Sequence, residues 1–166
     1  MRKIIAIATG FIILMVCNYA IFNRERLING GQVVYLKLAP VDPRSLMQGD
    51  YMALRFEVTN QAFVRGLDHH QYKDGHVILN LDNQKIGTFQ RFDDNTELKN
   101  SQIRMRYRIR NGRNKFATNA FFFQEGHAHI YEEAKFGEFR VAENGDSVLT
   151  GMRDKNLVLL GPKVSP

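Results

Sequence analysis

The chain has 166 residues, 23 Lys and Arg against 17 Asp and Glu, and a formal charge of +6 at neutral pH. With 44% hydrophobic and 24% charged residues it has a globular composition, and its 13 Gly and 4 Pro exclude collagen-like or low-complexity classes. One cysteine excludes an intrachain disulfide framework and a multi-cysteine zinc site.

The first element is an apolar segment. Ile4 to Phe22 contains no charged residue, and Arg2, Lys3, Arg24 and Arg26 flank it. As a helix at 1.5 Å per residue it spans about 28 Å, close to the ~30 Å hydrocarbon core of a bilayer. Asn18 is its only strongly polar residue, and Tyr19 and Phe22 stand where interfacial aromatics do. A cleaved signal needs small residues just before the cut, and none are suitably placed ahead of Asn23-Arg24-Glu25-Arg26. A lipoprotein signal needs a small residue before its cysteine, and Val16 precedes Cys17. Residues 1–23 are therefore read as an uncleaved signal-anchor that enters the bilayer through residues 4–22. Positive-inside counting slightly favours a cytoplasmic N-terminus. Residues 24–166 would then lie outside the cytoplasm and carry a net charge of +4. In a Gram-negative bacterium that space is the periplasm, and the exported part has no thiol.

Residues 24–166 read as one domain of strands and tight turns. A β-branched and aromatic run, Val33 to Leu38, is stopped by Pro40 and Pro43. Tyr51 to Val58 alternates as a strand, and residues 60–70 hold a short helical turn. Val77–Leu81 pairs with Ile86–Phe92 through the turn Asp82-Asn83-Gln84-Lys85. Ile103, Met105, Tyr107 and Ile109 alternate with Arg104, Arg106, Arg108 and Arg110, which predicts one buried and one basic face. Asn111-Gly112 is a hairpin signal, with Phe116–Phe123 as the return. His129–Phe136 is a short element with helix-favouring residues. Glu138–Ala142 and Ser147–Thr150 form a hairpin around Asn144-Gly145-Asp146, and Leu157–Leu160 is a terminal strand. About nine strands and one short helix, with turns about every 8–12 residues, predict an all-β sandwich or partly open barrel behind a single transmembrane helix.

The densest motif is Pro40-Val41-Asp42-Pro43-Arg44-Ser45-Leu46, followed by Gly49-Asp50-Tyr51-X-X-Leu54-X-Phe56. It resembles the GDYXXLXY protein family, with Phe56 in place of the last tyrosine. The tail Phe122-Phe123-Gln124-Glu125-Gly126, then Tyr131, Ala134, Phe139-Arg140-Val141, Gly145 and Leu149-Thr150-Gly151, is similar to the same family. The resemblance covers most of the chain and implies a membrane-anchored bacterial protein without an assigned reaction, often found beside multi-pass membrane proteins. By its residues alone, the motif has a structural reading: Asp42-Pro43 starts a turn and Gly49 permits a positive φ before a strand. The functional reading is a ligand or partner surface built from Asp42, Arg44, Gly49, Asp50 and Tyr51, with Glu125 as a further candidate.

Catalytic readings fit less well. A membrane anchor ahead of a Gly-Asp loop is faintly similar to type I signal peptidases, which use a serine and a lysine. Here no serine flanks Pro40, Ser45 stands at the wrong spacing, and the later strand carries arginines, which stay charged and cannot act as a base. His69, His70, His76, His127 and His129 show no helical metal-binding spacing, so neither a metal nor another cofactor is expected. The stripe Arg104, Arg106, Arg108 and Arg110, with Arg113 and Lys115 across the turn, has three readings. It is a solvated edge strand protected by like charges, a surface for anionic lipid or an acidic partner, or a nucleic-acid surface, which export argues against.

Together these features predict a non-enzymatic accessory or interaction subunit of a bacterial inner-membrane complex, with a multi-pass membrane protein as partner and no nucleic acid. The alternatives are an envelope hydrolase or a ligand-binding sensor centred on the Gly49-Asp50-Tyr51 loop. Intact-mass analysis of the membrane fraction should find residues 4–22 retained, and a mature form starting near residue 23 would refute the anchor.

Overall fold

The computed structural model describes residues 2–39, 47–48, 51–63, 73–110 and 113–162. Its first element is one continuous helix, α1, Arg2–Gly30. Ile4, Ile7, Phe11, Leu14, Tyr19 and Phe22 are all more than half exposed, and none of the apolar stretch is buried within the chain. The helix is long and apolar enough to cross a membrane. It runs on past the apolar segment until Leu27 becomes buried against the rest of the molecule.

The remaining chain is mostly β-structure. The described strands are β1 Gln32–Lys37, β2 Met47–Gln48, β3 Tyr51–Ala53, β4 Gly75–Leu81, β5 Gly87–Phe92 and β6 Gln102–Arg110. They continue with β7 Arg113–Phe116, β8 Ala120–Phe122, β9 Phe136–Val141, β10 Ser147–Arg153 and β11 Leu159–Leu160. A short helix, α2, covers Glu57–Ala62, and a single 3-10 turn covers Ala128–Tyr131. The strands form three sheets of order β1-β9-β10-β11, β2-β3-β8 and β5-β4-β6-β7, and all described pairings within them are antiparallel.

Single bridges stitch the sheets into an incomplete barrel. Tyr35 of β1 bridges to Ile86, just before β5, and its N–H donates to the Lys85 carbonyl at 2.9 Å. Leu38 bridges to Phe56, and the Leu54 N–H donates to the Asn119 carbonyl at 2.7 Å. On the other side the β9–β10 turn reaches back to β6, where the Arg106 N–H donates to the Gly145 carbonyl at 2.8 Å.

One core fills the interior. Val34 and Leu36 come from β1, Val77 and Leu79 from β4, Ile103, Met105 and Tyr107 from β6, Phe139 and Val141 from β9, and Met152 from β10. Phe56 meets Phe139 edge-on at 5.3 Å between ring centres, and Phe63 meets Tyr107 in the same way at 5.1 Å. Such edge-to-face pairs add to the burial of the rings.

The hairpins expected at 77–92 and 138–150 are present. The return expected over Phe116–Phe123 is not: β7, Arg113–Phe116, pairs with β6, whereas β8, Ala120–Phe122, pairs with β3. Two further expectations are corrected. The strand read over Tyr51–Val58 stops at Ala53, and the short helix lies at Glu57–Ala62, ahead of where it was expected. Val58 and Ala62, one turn apart, form the buried face of this helix, and the Phe63 N–H closes it on the Thr59 carbonyl at 3.0 Å. Glu57 also pairs with Lys37 of β1 at 3.3 Å. Second, β6 is no edge strand, because β4 and β7 flank it. Like-charge protection of an open edge therefore does not explain its arginines.

The β9–β10 turn depends on Gly145, which has φ +86° and whose added Cβ would lie 2.8 Å from Cδ2 of His76. Both the left-handed backbone and the close approach disfavour a side chain. Gly145→Ala should destabilise the fold by about 1–2 kcal/mol, read as a lowered midpoint in urea unfolding at unchanged slope.

Candidate functional site

The period-2 register of β6 turns Ile103, Met105 and Tyr107 into the core and the arginines to the opposite face. The structure gives three of those arginines carboxylate partners from turns distant in sequence. Arg104 Nε lies 2.6 Å from Oδ2 of Asp93, whose side chain is 8% exposed. Arg106 Nη1 donates to Oδ1 of Asp146 in the β9–β10 turn at 3.1 Å. Arg110 holds Asp74 in a two-point contact, with Nη1–Oδ1 at 3.0 Å and Nη2–Oδ2 at 2.9 Å, and the Ile109 N–H donates to the same carboxylate at 2.8 Å. Arg108 has no carboxylate within ion-pair distance among the described residues.

This face is only partly covered, and Arg108 and Arg110 remain exposed. The helix α1 passes over it, and between them lies a cavity of about 430 Å³. Its β-side wall carries Arg106, Arg108, Arg110 and Lys115, with Asp146 at the rim. Its helix-side wall is Ala20, Asn23, Arg24 and Leu27. A second cavity, of about 690 Å³, borders Arg104 and has Arg26, Leu27 and Gly30 across from it. Thus β6 runs back along the helix toward the apolar segment, with Arg104 beside the helix end at Arg26–Gly30 and Arg106, Arg108 and Arg110 beside Ala20–Leu27.

The helix is held there by its last turn. Leu27 is buried, the Gly31 N–H donates to the Leu27 carbonyl at 2.9 Å, and Arg140 Nη1 donates to the Gly31 carbonyl at 3.2 Å. A Cβ on Gly31 would stand 2.5 Å from the Leu27 carbonyl oxygen and 3.1 Å from Cβ of Arg140. Only glycine lets the chain turn from α1 into β1 this close to β9.

The residues of the Gly-Asp-Tyr motif are less informative. Asp42, Arg44, Gly49 and Asp50 lie outside the described residues, as do Ser45, His69 and His70. Tyr51 sits on β3 opposite Phe122 of β8, with ring centres 5.8 Å apart, and Phe122 is 75% exposed. Glu125 is exposed and follows β8 at the end of the sheet where β2 turns into β3. The sheet register therefore brings Tyr51 and Glu125 to one end of the molecule. His129 Nδ1 lies 3.1 Å from the Gly126 carbonyl, a local contact. Among the described residues no three His, Cys, Asp or Glu side chains cluster as metal ligands would.

Several partners were not legible beforehand. Asp74, Asp93 and Asp146 stand in turns, where aspartate is ordinary, and nothing local links them to β6. The pair Glu138 and Arg153 is another case: Arg153 Nε donates to Glu138 Oε2 at 2.6 Å, both side chains are mostly buried, and the guanidinium also lies over the Tyr35 ring.

These ion pairs shape the response to pH. The Arg110 guanidinium and then the Ile109 N–H hold the Asp74 carboxyl below its ordinary 3.8. Burial pushes the Asp93 carboxyl up, but Arg104 and the Asn95 N–H together outweigh it, and the net direction is again down. The Thr96 hydroxyl and N–H lower Asp94. Folded values below the unfolded ones mean stability that is full above the unfolded value and is lost as pH falls through the folded values. The melting temperature should therefore hold from neutral to about pH 5 and fall below about pH 4. Asp93→Asn should cost about 2 kcal/mol at neutral pH, because it removes a charge-assisted bond at a largely buried site, and should flatten the acid limb of that profile.

No curated protein and no solved structure matches the chain. The GDYXXLXY protein family matches residues 13–152, which take in the second half of the apolar segment and nearly all of the β-structure. A match over that span, on a chain that carries the motif at Gly49-Asp50-Tyr51 and an all-β domain behind an apolar helix, makes this protein a member of the GDYXXLXY family.

Proposed function

We propose that the protein is a membrane-anchored, non-enzymatic accessory subunit of a bacterial inner-membrane complex, with its N-terminus in the cytoplasm and its barrel in the periplasm. The observation that carries this reading is the union of helix and barrel. An apolar helix with no cover inside the chain continues unbroken to Leu27, where packing and the Arg140–Gly31 bond seat it on the barrel. A flexible linker would let the domain roam, whereas this joint holds it at a set height beside whatever the helix meets in the bilayer. The exposed helix is the surface offered to a multi-pass partner, since helices in lipid associate through packing and polar contacts. The small residues Ala8 and Gly10 and the polar Asn18 of this exposed helix suit a close helix–helix approach.

The test is crosslinking of the full-length protein in membranes followed by capture. A multi-pass membrane protein should be recovered, and recovery should fall when residues 4–22 are exchanged for an unrelated apolar anchor. No membrane-protein adduct, together with complete loss of phenotype in Asp50→Asn at unchanged abundance and melting temperature, would overturn this reading in favour of a hydrolase or sensor at the Gly49-Asp50-Tyr51 loop.

A further inference from the structure

We infer that the cavity between α1 and β6 is a binding site for the phosphate headgroup of an anionic phospholipid. Three observations meet there: charge, depth and a wall of mixed polarity.

The charge is in surplus. Arg24, Arg106, Arg108, Arg110 and Lys115 line the cavity with Asp146. Asp146 matches Arg106, and Asp74 matches Arg110. Arg24, Arg108 and Lys115 have no carboxylate within ion-pair distance among the described residues, so five basic groups line the cavity against the carboxylates of Asp146 and Asp74. The paired arginines are held in place by their carboxylates and retain other N–H donors for a phosphate oxygen. The volume of about 430 Å³ lies within the range of small-ligand clefts.

Depth identifies the source of the phosphate. The uncharged segment ends at Phe22, and the helix-side wall runs from Ala20 to Leu27. At 1.5 Å per residue that wall begins about 3 Å inside the end of the apolar stretch and finishes about 7 Å beyond it. The headgroup layer of a bilayer is roughly 5–7 Å deep on each side. If α1 spans a bilayer, the cavity stands at headgroup level and opens along Ala20 toward the acyl chains. A soluble anion would need only the charges. A wall that passes from Arg24 to an exposed apolar helix suits a molecule that is phosphate at one end and hydrocarbon at the other. An acidic protein is the less favoured occupant, because the charges, exposed at Arg108, Arg110 and Lys115, flank the helix at headgroup depth, where lipid phosphate is the nearest anion.

The inference rests on α1 being the membrane anchor, and carbonate extraction tests that part separately. The full-length protein in detergent is offered equal amounts of phosphatidylglycerol and phosphatidylcholine, and retained lipid is counted by native mass spectrometry. Phosphatidylglycerol should be retained in preference. Its retention should fall about fivefold for each charge removed in Arg24→Gln, Arg108→Gln and Lys115→Gln, and Arg108→Lys should keep most of it. Arg24→Gln lies on the helix and asks nothing of the barrel's folding, so it serves even if a change on β6 lowers the melting temperature. Inorganic phosphate at the same concentration as lipid should displace little. Equal retention of the two lipids, or a preference that survives loss of all three charges, would overturn the proposal. Displacement by inorganic phosphate mole for mole would overturn the lipid source and leave a soluble-anion site. A photo-crosslinker at position 108 that captures an acidic protein and no lipid would overturn it in favour of a protein partner. Release of the wild type by carbonate would refute the anchor itself, whereas firm retention without lipid preference would refute the headgroup site alone.

Discussion

The register of β6 is the constraint on which the rest depends. Ile103, Met105 and Tyr107 point into a core shared by all three sheets, and a slip of one residue would exchange them for arginines. Burying several guanidinium groups without partners would cost far more than a domain of this size has in net stability. The register is therefore enforced from the inside. Its consequence lies on the outside, where Arg104, Arg106, Arg108 and Arg110 must share one face whether or not that face has a task. The fold supplies partners for three of them. Ile78, on the outer face of β4 and fully buried, has Arg91 and Arg104 as its cross-strand neighbours. Their aliphatic stems are suited to cover it while the charged heads reach Asp94 and Asp93.

The second constraint is the joint between helix and barrel. Gly31 has no room for a side chain, Leu27 is the one buried residue of α1 among those described, and Arg140 of β9 closes the turn. The residues that seat the helix thus come from the last turn of α1, the residue that leads into β1, and the ninth strand. The angle of the helix to the barrel and the orientation of the basic face are set by the same few contacts. A change at Gly31 would act on both, although it touches neither the apolar segment nor the arginines.

The electrostatics separate structural from available charge. Asp93 and Glu138 are largely buried, and each is bound to one arginine, so breaking either pair leaves a charge in a poor environment. Arg110 with Asp74 and Arg106 with Asp146 are more exposed and contribute less to stability. Their effect is positional: they hold two guanidinium groups at the walls of the cavity. Arg108, Arg24 and Lys115 make no such bond, so their charge remains for something outside the chain.

The apolar helix, the all-β class, most hairpins and the two-faced character of β6 were determined by the sequence alone, because each is a local pattern. An uncharged run of bilayer length, alternation of period 2 and Asn-Gly or Asn-Gly-Asp turns need no knowledge of distant residues. The helix at Glu57–Ala62 is not marked by the local pattern, since Tyr51–Val58 alternates and residues 58 and 62 share a face in a strand as well as in a helix. The position of β6 inside its sheet was decided by the order β5-β4-β6-β7, which pairs strands through hairpins and a non-local return. The meaning of the arginines was likewise tertiary. Asp74, Asp93 and Asp146 are 36, 11 and 40 residues from their partners, and α1 is farther still from β6. A strand pattern states that four arginines share a face. Only the packed molecule determines which of them meet a carboxylate and which face a helix across an open cleft.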